Sequence, residues 1–316
     1  MKHRIFLLTI LTLFSIVSMT ACGPAETPMP TSVPTPALFP ITISDDLGRE
    51  VVVSAVPERV VSLAPSHTEI LFAIGAGDQV VGVTEYCTYP PEAQERDLIG
   101  GFSANTISVE KIVSLEPDLV FSVGALQQPV IEALEQMNVT VVALEPGDFE
   151  DVYAAIELMG QLTGHEEEAA QVAADMQDRV AAVQGKVAAI PDEERLTVFW
   201  ETYDEPLMTV GSASFTHQLI ELAGGVNIFA DLAEAYPQIN AEEVVERNPA
   251  VIMAADSHGD ALTLEQITQR PGWEQVAAVQ SGRIHLFDAD MVSRTGPRLA
   301  QVLEEMAQAL YPEVFE

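Results

Sequence analysis

Residues 65–69, Pro-Ser-His-Thr-Glu, put a hydroxyl, an imidazole and a carboxylate next to one another. Such groups can form a nucleophile and its base, and an imidazole also binds metals or hydrogen-bonds ligands. The segment joins a β-rich run, Arg59–Ala64, to an apolar helical pattern, His67–Ile74. At that junction Ser66 reads as a helix cap and Glu69 as the third-position acid of a capping box, a purely structural use. His67 stays open to two readings: a hydrogen bond to a bound ligand, or coordination of a metal carried by that ligand. Cys87 reads by default as a small buried hydrophobe, with coordination of a ligand's metal as the rarer alternative.

Other chemistry finds little support. No G-x-S-x-G elbow is present; Gly211-Ser212-Ala213-Ser214 lacks the spacing and the closing glycine. There is no P-loop and no G-x-G-x-x-G, and Gly75-Ala76-Gly77 falls where a helix should stop. A receptor for free zinc or manganese needs several convergent ligands, whereas His67, His165, His217, His258 and His285 are scattered. The expectation is a binding protein with no catalytic residue, no resident metal and no cofactor. An α/β hydrolase is the alternative from another class.

The 316 residues carry 14 Lys and Arg against 48 Asp and Glu, a net charge of −34. That balance excludes nucleic acid as a partner and electrostatic docking on anionic lipids. The N-terminus has its own logic. Lys2, His3 and Arg4 precede an apolar run, Ile5–Val17, too short for a convincing membrane span. It ends in Ser18-Met19-Thr20-Ala21-Cys22, small residues before a cysteine that resemble a bacterial lipobox. Residues 1–22 are therefore expected to be a lipoprotein signal peptide, with lipid on Cys22 anchoring the protein outside the cytoplasm. Residues 23–40, rich in Pro, Thr and Ser, read as an extended spacer. With Cys22 lipidated, Cys87 has no disulfide partner.

Position of any site depends on the remaining elements. Residues 41–53 read as a hairpin around Asp-Asp-Leu-Gly. Apolar runs then alternate with helical patterns, which predicts parallel sheets covered by helices. A helical region over 149–187 carries Val172, Met176, Val180, Val183 and Val187 on one face, and alternation resumes beyond Pro191. The expected fold is α/β: two Rossmann-like lobes, 41–148 and 191–316, joined by a single long helix within 149–190, with a ligand cleft between them. The lobes also resemble each other. Ser108-Val-Glu-Lys-Ile-Val-Ser-Leu-Glu-Pro parallels Asn240-Ala-Glu-Glu-Val-Val-Glu-Arg-Asn-Pro, so Glu110 and Glu242 occupy equivalent first-turn positions. Dipole stabilisation accounts for each singly; the symmetric pair also suits docking on a partner.

Several stretches taken together resemble one family: Glu58-RVVSLAPSHTEILFAIGAGDQVVGVTEYCTYPPEA, Ser108-VEKIVSLEPDLV, Gly211-SASFTHQLIELAGGVNIF, Tyr236-PQINAEEVVERNPAVI and Arg294-TGPR. They are similar to the periplasmic binding proteins of ABC importers for cobalamin, iron–siderophores and haem. The resemblance implies two rigid lobes with little hinge motion, a corrinoid or other metal-chelate ligand, and partners in an ABC permease and its ATPase. It implies that Glu110 and Glu242 meet arginines of the permease. It implies ligand contacts at Tyr86, Phe102 and Tyr236, and at Asp290 and Arg294 in a late cleft-facing loop, beside Ser66 and His67. Val123 stands where a further aromatic is expected. Cobalamin is the preferred ligand; a ferric siderophore or haem is the alternative, and for an anionic chelate the cleft cations would be Arg294 and Arg298.

Overall fold

A computed structural model describes residues 38–255 and 262–315. The expected signal peptide, Cys22 and nearly all of the spacer lie outside the described residues, as does His258.

The chain opens with the hairpin β1 (Ile41–Ser44) and β2 (Glu50–Val53), paired from Ile41–Val53 to Ser44–Glu50. Asp45 closes its turn by accepting from the amides of Leu47 and Arg49, and Gly48 takes a positive φ of 71°. The first lobe follows: β3 (Val60–Ser62), α1 (Pro65–Ala73), β4 (Val80–Val83), β5 (Asp97–Leu98), α2 (Val109–Ser114), β6 (Leu119–Ser122), α3 (Gln128–Gln136) and β7 (Val141–Ala143). Its sheet is parallel, in the order β5-β4-β3-β6-β7. Next come α4 (Phe149–Thr163) and α5 (Glu166–Val187). The second lobe contains β8 (Thr197–Glu201), the small pair β9 (Tyr203–Asp204) and β10 (Leu207–Met208), α6 (Phe215–Leu222), β11 (Val226–Asn227), α7 (Ala241–Arg247), β12 (Val251–Ala254), α8 (Leu264–Thr268), α9 (Ala277–Ser281), β13 (Ile284–Leu286), α10 (Ala289–Ser293) and α11 (Leu299–Leu310). Its parallel sheet runs β11-β8-β12-β13.

In each sheet the first strand lies inside, with the chain crossing first to one side and then to the other. The order reverses between β3 and β6, and again between β8 and β12. Loops leaving the carboxyl ends at such switch points form the crevice where doubly wound sheets bind ligands.

Strands buried on both faces distribute their side chains between cores. Val60, Leu119 and Phe121 face one core of the first lobe, while Val61 and Val120 face another closed by Ile112, Ile131 and Leu134. In the second lobe Phe199 and Ile252 face a core with Val244, Ile267 and Trp273. The opposite faces do not form separate cores. Val60, Phe121 and Val142 belong to the same apolar cluster as Val198, Trp200 and Met253, connected through α1, α4, α5, α6 and α11. Opening the lobes would expose part of this shared interior to water.

The helical region expected over 149–187 is not one continuous helix. Gly164, at φ +77°, stops α4, and the amide of His165 bonds back to the Gly160 carbonyl. The helical region 149–187 is thus a pair of helices that cross closely: a Cβ on Gly160 would lie 2.2 Å from the Ala169 methyl. Only α5 carries the chain across. Its start brings His165 near Gly75 of the first lobe, and its end packs Val187 against Gly224 of the second. Its 22 residues span about 33 Å. Met176, Val180, Val183 and Val187 form its buried face, and Arg179 forks onto Glu304 of α11 at 2.8 and 2.6 Å.

Candidate ligand cleft and docking glutamates

Glu69 does not complete a capping box. The residue preceding α1 is Ala64, which offers no side-chain cap. The Glu69 carboxylate, on a residue only 3% exposed, points instead to the second lobe. Arg298 grips it in bidentate fashion at 2.8 and 2.6 Å, and Arg294 adds a bond at 3.0 Å. Arg294 continues across the boundary, donating to the Tyr86 carbonyl and the Thr88 hydroxyl, both at 3.0 Å. It also pairs with Asp290 at 2.5 Å, and Thr88 donates to the same carboxylate at 3.2 Å. The Arg298 guanidinium lies 4.1 Å from the centre of the Tyr89 ring. Two carboxylates and two guanidiniums therefore form a charge-balanced latch between the lobes.

This latch holds two of the candidate residues, Tyr86 and Asp290, at the lobe boundary. Tyr86, 53% exposed, sits on the loop that Arg294 holds, beside exposed Asp290. Half-buried Phe102 is on the adjoining loop, tied to the first by the Glu85 amide donating to Gly100. Tyr236, 52% exposed, belongs to the second lobe, on a segment paired with residues 207–211 beyond β8. Among the described residues no hydrogen bond or ring contact joins Tyr236 to Tyr86 or Phe102. Half-buried Val123 follows β6, with Leu126 53% exposed just beyond it.

Arg294, Ser66 and His67 take places other than the ligand-contact positions expected of them. Arg294 is 7% exposed, its guanidinium being consumed by the latch. Ser66 is 8% exposed, and its carbonyl packs against Gly296. His67 is fully buried, its Nε2 3.1 Å from the Leu144 carbonyl and its ring edge-on to Phe121. Burial lowers its pKa to about 4, partly offset by the Leu144 contact, so the imidazole is neutral and faces the core rather than the cleft. Cys87 is also buried, between the Thr68 and Thr84 hydroxyls, and burial raises its thiol pKa. Neither group is open to a ligand's metal. Among the described residues no group of three or more His, Cys, Asp or Glu side chains is arranged to hold a metal.

Sequence reasoning missed a second buried carboxylate, Glu201 at the end of β8. Arg270 holds it at 2.5 and 2.6 Å, with the guanidinium over the Trp273 ring at 4.7 Å. An acid alone in an apolar run was the available signal for both Glu69 and Glu201. The spacing Arg294-x-x-x-Arg298 was the signal for the matching cations.

Every lysine and arginine from Arg49 onward is engaged. Carboxylates hold Arg49, Lys111, Arg179, Arg195, Arg247, Arg270, Arg294 and Arg298. Arg59, Arg96 and Arg283 donate to carbonyls, and Lys186 lies over the Phe315 ring.

Glu110 and Glu242 are both exposed, in the first turns of α2 and α7. Ser108 caps α2 by accepting from Lys111, and Asn240 caps α7 in a capping box with Glu243. Helix α2 leads into β6 and α7 into β12, each the neighbour of its lobe's first strand. The two glutamates are topological equivalents, and among the described residues neither is held in an ion pair.

A sequence profile described as periplasmic binding protein matches residues 60–291. The chain is 33% identical over 310 residues to an uncharacterized ABC transporter substrate-binding lipoprotein of Bacillus subtilis, covering 96% of each chain. It is 30% identical over 320 residues to a cobalamin-binding protein of Halobacterium salinarum, covering 98% of this chain and 85% of that one. Among solved structures it is similar to the periplasmic vitamin B12-binding protein of Vibrio cholerae, with a TM-score of 0.70, 28% identity, and coverage of 81% of this chain and 98% of that one. A periplasmic haem-binding protein from Roseiflexus, solved in apo form, gives a TM-score of 0.72 at 26% identity, covering 81% and 99%.

Two outcomes follow from these buried ionisable groups. Replacing Glu69 by Gln leaves Arg298 without a carboxylate and Arg294 with Asp290 alone, and should destabilise the fold by about 3 kcal/mol, read by urea unfolding; a loss below about 1 kcal/mol would mean that water reaches the latch. His67 has its folded-state pKa depressed from 6.5 to about 4, so its contribution is complete above pH 6.5 and is lost as pH falls towards 4. Between pH 7 and 5 the wild type should lose about 2 kcal/mol more than His67→Asn, and parallel pH profiles would overturn that assignment.

Proposed function

The chain belongs to the periplasmic binding protein family, and from that premise we propose that it is the extracytoplasmic receptor of an ABC importer for cobalamin or a related corrinoid. Its family consists of solute-binding proteins rather than enzymes. Cys22 carries the lipid anchor in this reading, residues 23–40 hold the receptor off the membrane, and a relative is itself named a lipoprotein.

The observation that carries the ligand assignment is that no cation among the described residues is free. A ferric siderophore or the propionates of haem present negative charge, and a site for them needs unneutralised Arg or Lys. Arg294 and Arg298, the cations at the lobe boundary, already balance Glu69 and Asp290. What remains is exposed aromatic surface on Tyr86 and Tyr236, half-buried Phe102, and carboxylate at Asp290. Aromatic faces suit the edge of a largely apolar macrocycle, and a carboxylate accepts from peripheral amides. The relatives named for cobalamin and vitamin B12 support the same choice.

Glu110 and Glu242 dock on the permease in this reading, one from each lobe, through directional carboxylate–guanidinium pairs. The receptor does no chemistry; the importer's ATPase supplies the energy of uptake.

Calorimetric titration of the chain from Leu38 onward with cyanocobalamin, haem and a ferric siderophore tests the ligand. One-to-one binding of cyanocobalamin, at least about tenfold tighter than the others, is expected, a gap of about 1.4 kcal/mol. Preference for haem or the siderophore would move the receptor to iron uptake. Changing both Glu110 and Glu242 to Ala should reduce uptake by more than about tenfold, since each lost interfacial charge pair costs about 2–5 kcal/mol, and should leave ligand affinity unchanged. Lost ligand affinity would instead put these glutamates in the binding surface.

A further inference from the structure

Gln127 is fully buried in the short turn between β6 and α3. Its amide has no hydrogen-bonding capacity left. Oε1 accepts from the Val123 amide at 3.1 Å and from the Ser122 hydroxyl at 2.8 Å. Nε2 donates to the carbonyls of Leu63 at 2.9 Å and Phe102 at 2.8 Å. A primary amide offers two N–H donors and two acceptor lone pairs, and all four are used.

Three segments meet at this one side chain. Two of them, the ends of β3 and β6, are already joined by the sheet, where the Leu63 amide donates to Phe121. The third, the loop that presents Phe102, is tied down far less. Its internal backbone bonds close on themselves, from Gly101 to Thr106 and from Thr106 to Ser103. Backbone bonds to the lobe occur where the loop leaves it, from Ile99 to Val83 and from Glu85 to Gly100, and the Ser108 amide closes the loop's two ends by donating to Ile99. Gly100, at φ +111°, and its neighbour Gly101 start the loop with backbone that is free to take many conformations in the absence of restraint. Between those ends, among the described residues, the bond from Gln127 to the Phe102 carbonyl is the hydrogen bond that fixes the loop to the sheet.

We propose that Gln127 is a positioning residue for ligand capture, holding the Phe102 ring at the cleft before the ligand arrives. This rests on reading Phe102 as a ligand contact. Without the amide, the loop samples other conformations, and ordering it becomes part of each binding event, which lowers affinity without removing any group that touches the ligand. A role confined to fold stability would instead leave the affinity of the folded protein untouched.

The test uses the whole chain with Gln127→Met, and with Gln127→Asn, whose shorter amide cannot span from the β6 turn to the Phe102 carbonyl, in case the Met variant does not fold. Two readouts are taken. Amide hydrogen exchange without ligand should rise by more than about tenfold at residues 100–106, while β3 and β6 stay protected. The dissociation constant for cyanocobalamin should weaken by about tenfold, and in a Phe102→Ala background the same Gln127 change should add less than about twofold. Unchanged exchange at 100–106, or an affinity loss undiminished by Phe102→Ala, would overturn the proposal. Should the wild type bind no cyanocobalamin, the corrinoid reading fails, and the exchange data still decide whether Gln127 orders the loop.

Discussion

A carboxylate buried at the boundary between two lobes cannot be left alone, and the arrangement around Glu69 follows from that constraint. Removing its charge from water is unfavourable by several kcal/mol, and guanidiniums in good geometry offset the loss. Both cations come from the other lobe, more than 220 residues away in the chain. The ion cluster therefore exists only when the lobes are assembled as they are. It lies beside a shared apolar interior in which both sheets and the helices α4 and α5 take part. Apolar burial opposes separation without specifying geometry, whereas the directional bonds of Arg294 and Arg298 set the register of one lobe on the other. The same bonds hold the Tyr86 loop, so lobe registry and the shape of the cleft are one structural problem.

An acidic chain with few cations must allot them carefully. Here they are used in the interior and at boundaries: on Glu69 between lobes, on Glu201 at the end of β8, on Asp45 in the first hairpin, and on the Leu310 carbonyl ending α11. The excess carboxylates remain on the surface, where water screens them. A positive binding pocket would require a cation taken from one of these structural positions. The ligand chemistry favoured above is thus constrained by the fold's own electrostatics as much as by the cleft.

Much of the architecture was legible in the residues because its signals are local. Apolar runs such as Leu119–Ser122 and Val251–Ala254, separated by helical patterns, indicate parallel strands and their crossovers. Ser108 and Asn240 announce two equivalent helix starts, since a cap acts within three residues. The misreadings share a different cause. Glu69 looked like a capping acid because its partners are distant in sequence. Ser66 and His67 looked available because a strand-to-helix junction often faces solvent, yet here it lies beneath the latch and against Phe121. The break at Gly164 was hidden because the helical periodicity on either side is strong and a single glycine does not always end a helix. Two-residue strands such as β5 and β11 carry too few side chains to show a pattern at all.

The shared interior also bears on how a loaded receptor is distinguished from an empty one. In a hinged receptor, closure around the ligand changes the spacing of surface groups, and the transporter can sense occupancy from shape alone. A receptor whose lobes are fused by a continuous core and latched by ions keeps nearly the same outer face with or without cargo. Empty copies then compete with full ones for the same transporter. In such a system, the flux of nutrient depends on the fraction of receptors that are occupied, and producing more receptor than there is ligand to fill it slows uptake instead of speeding it.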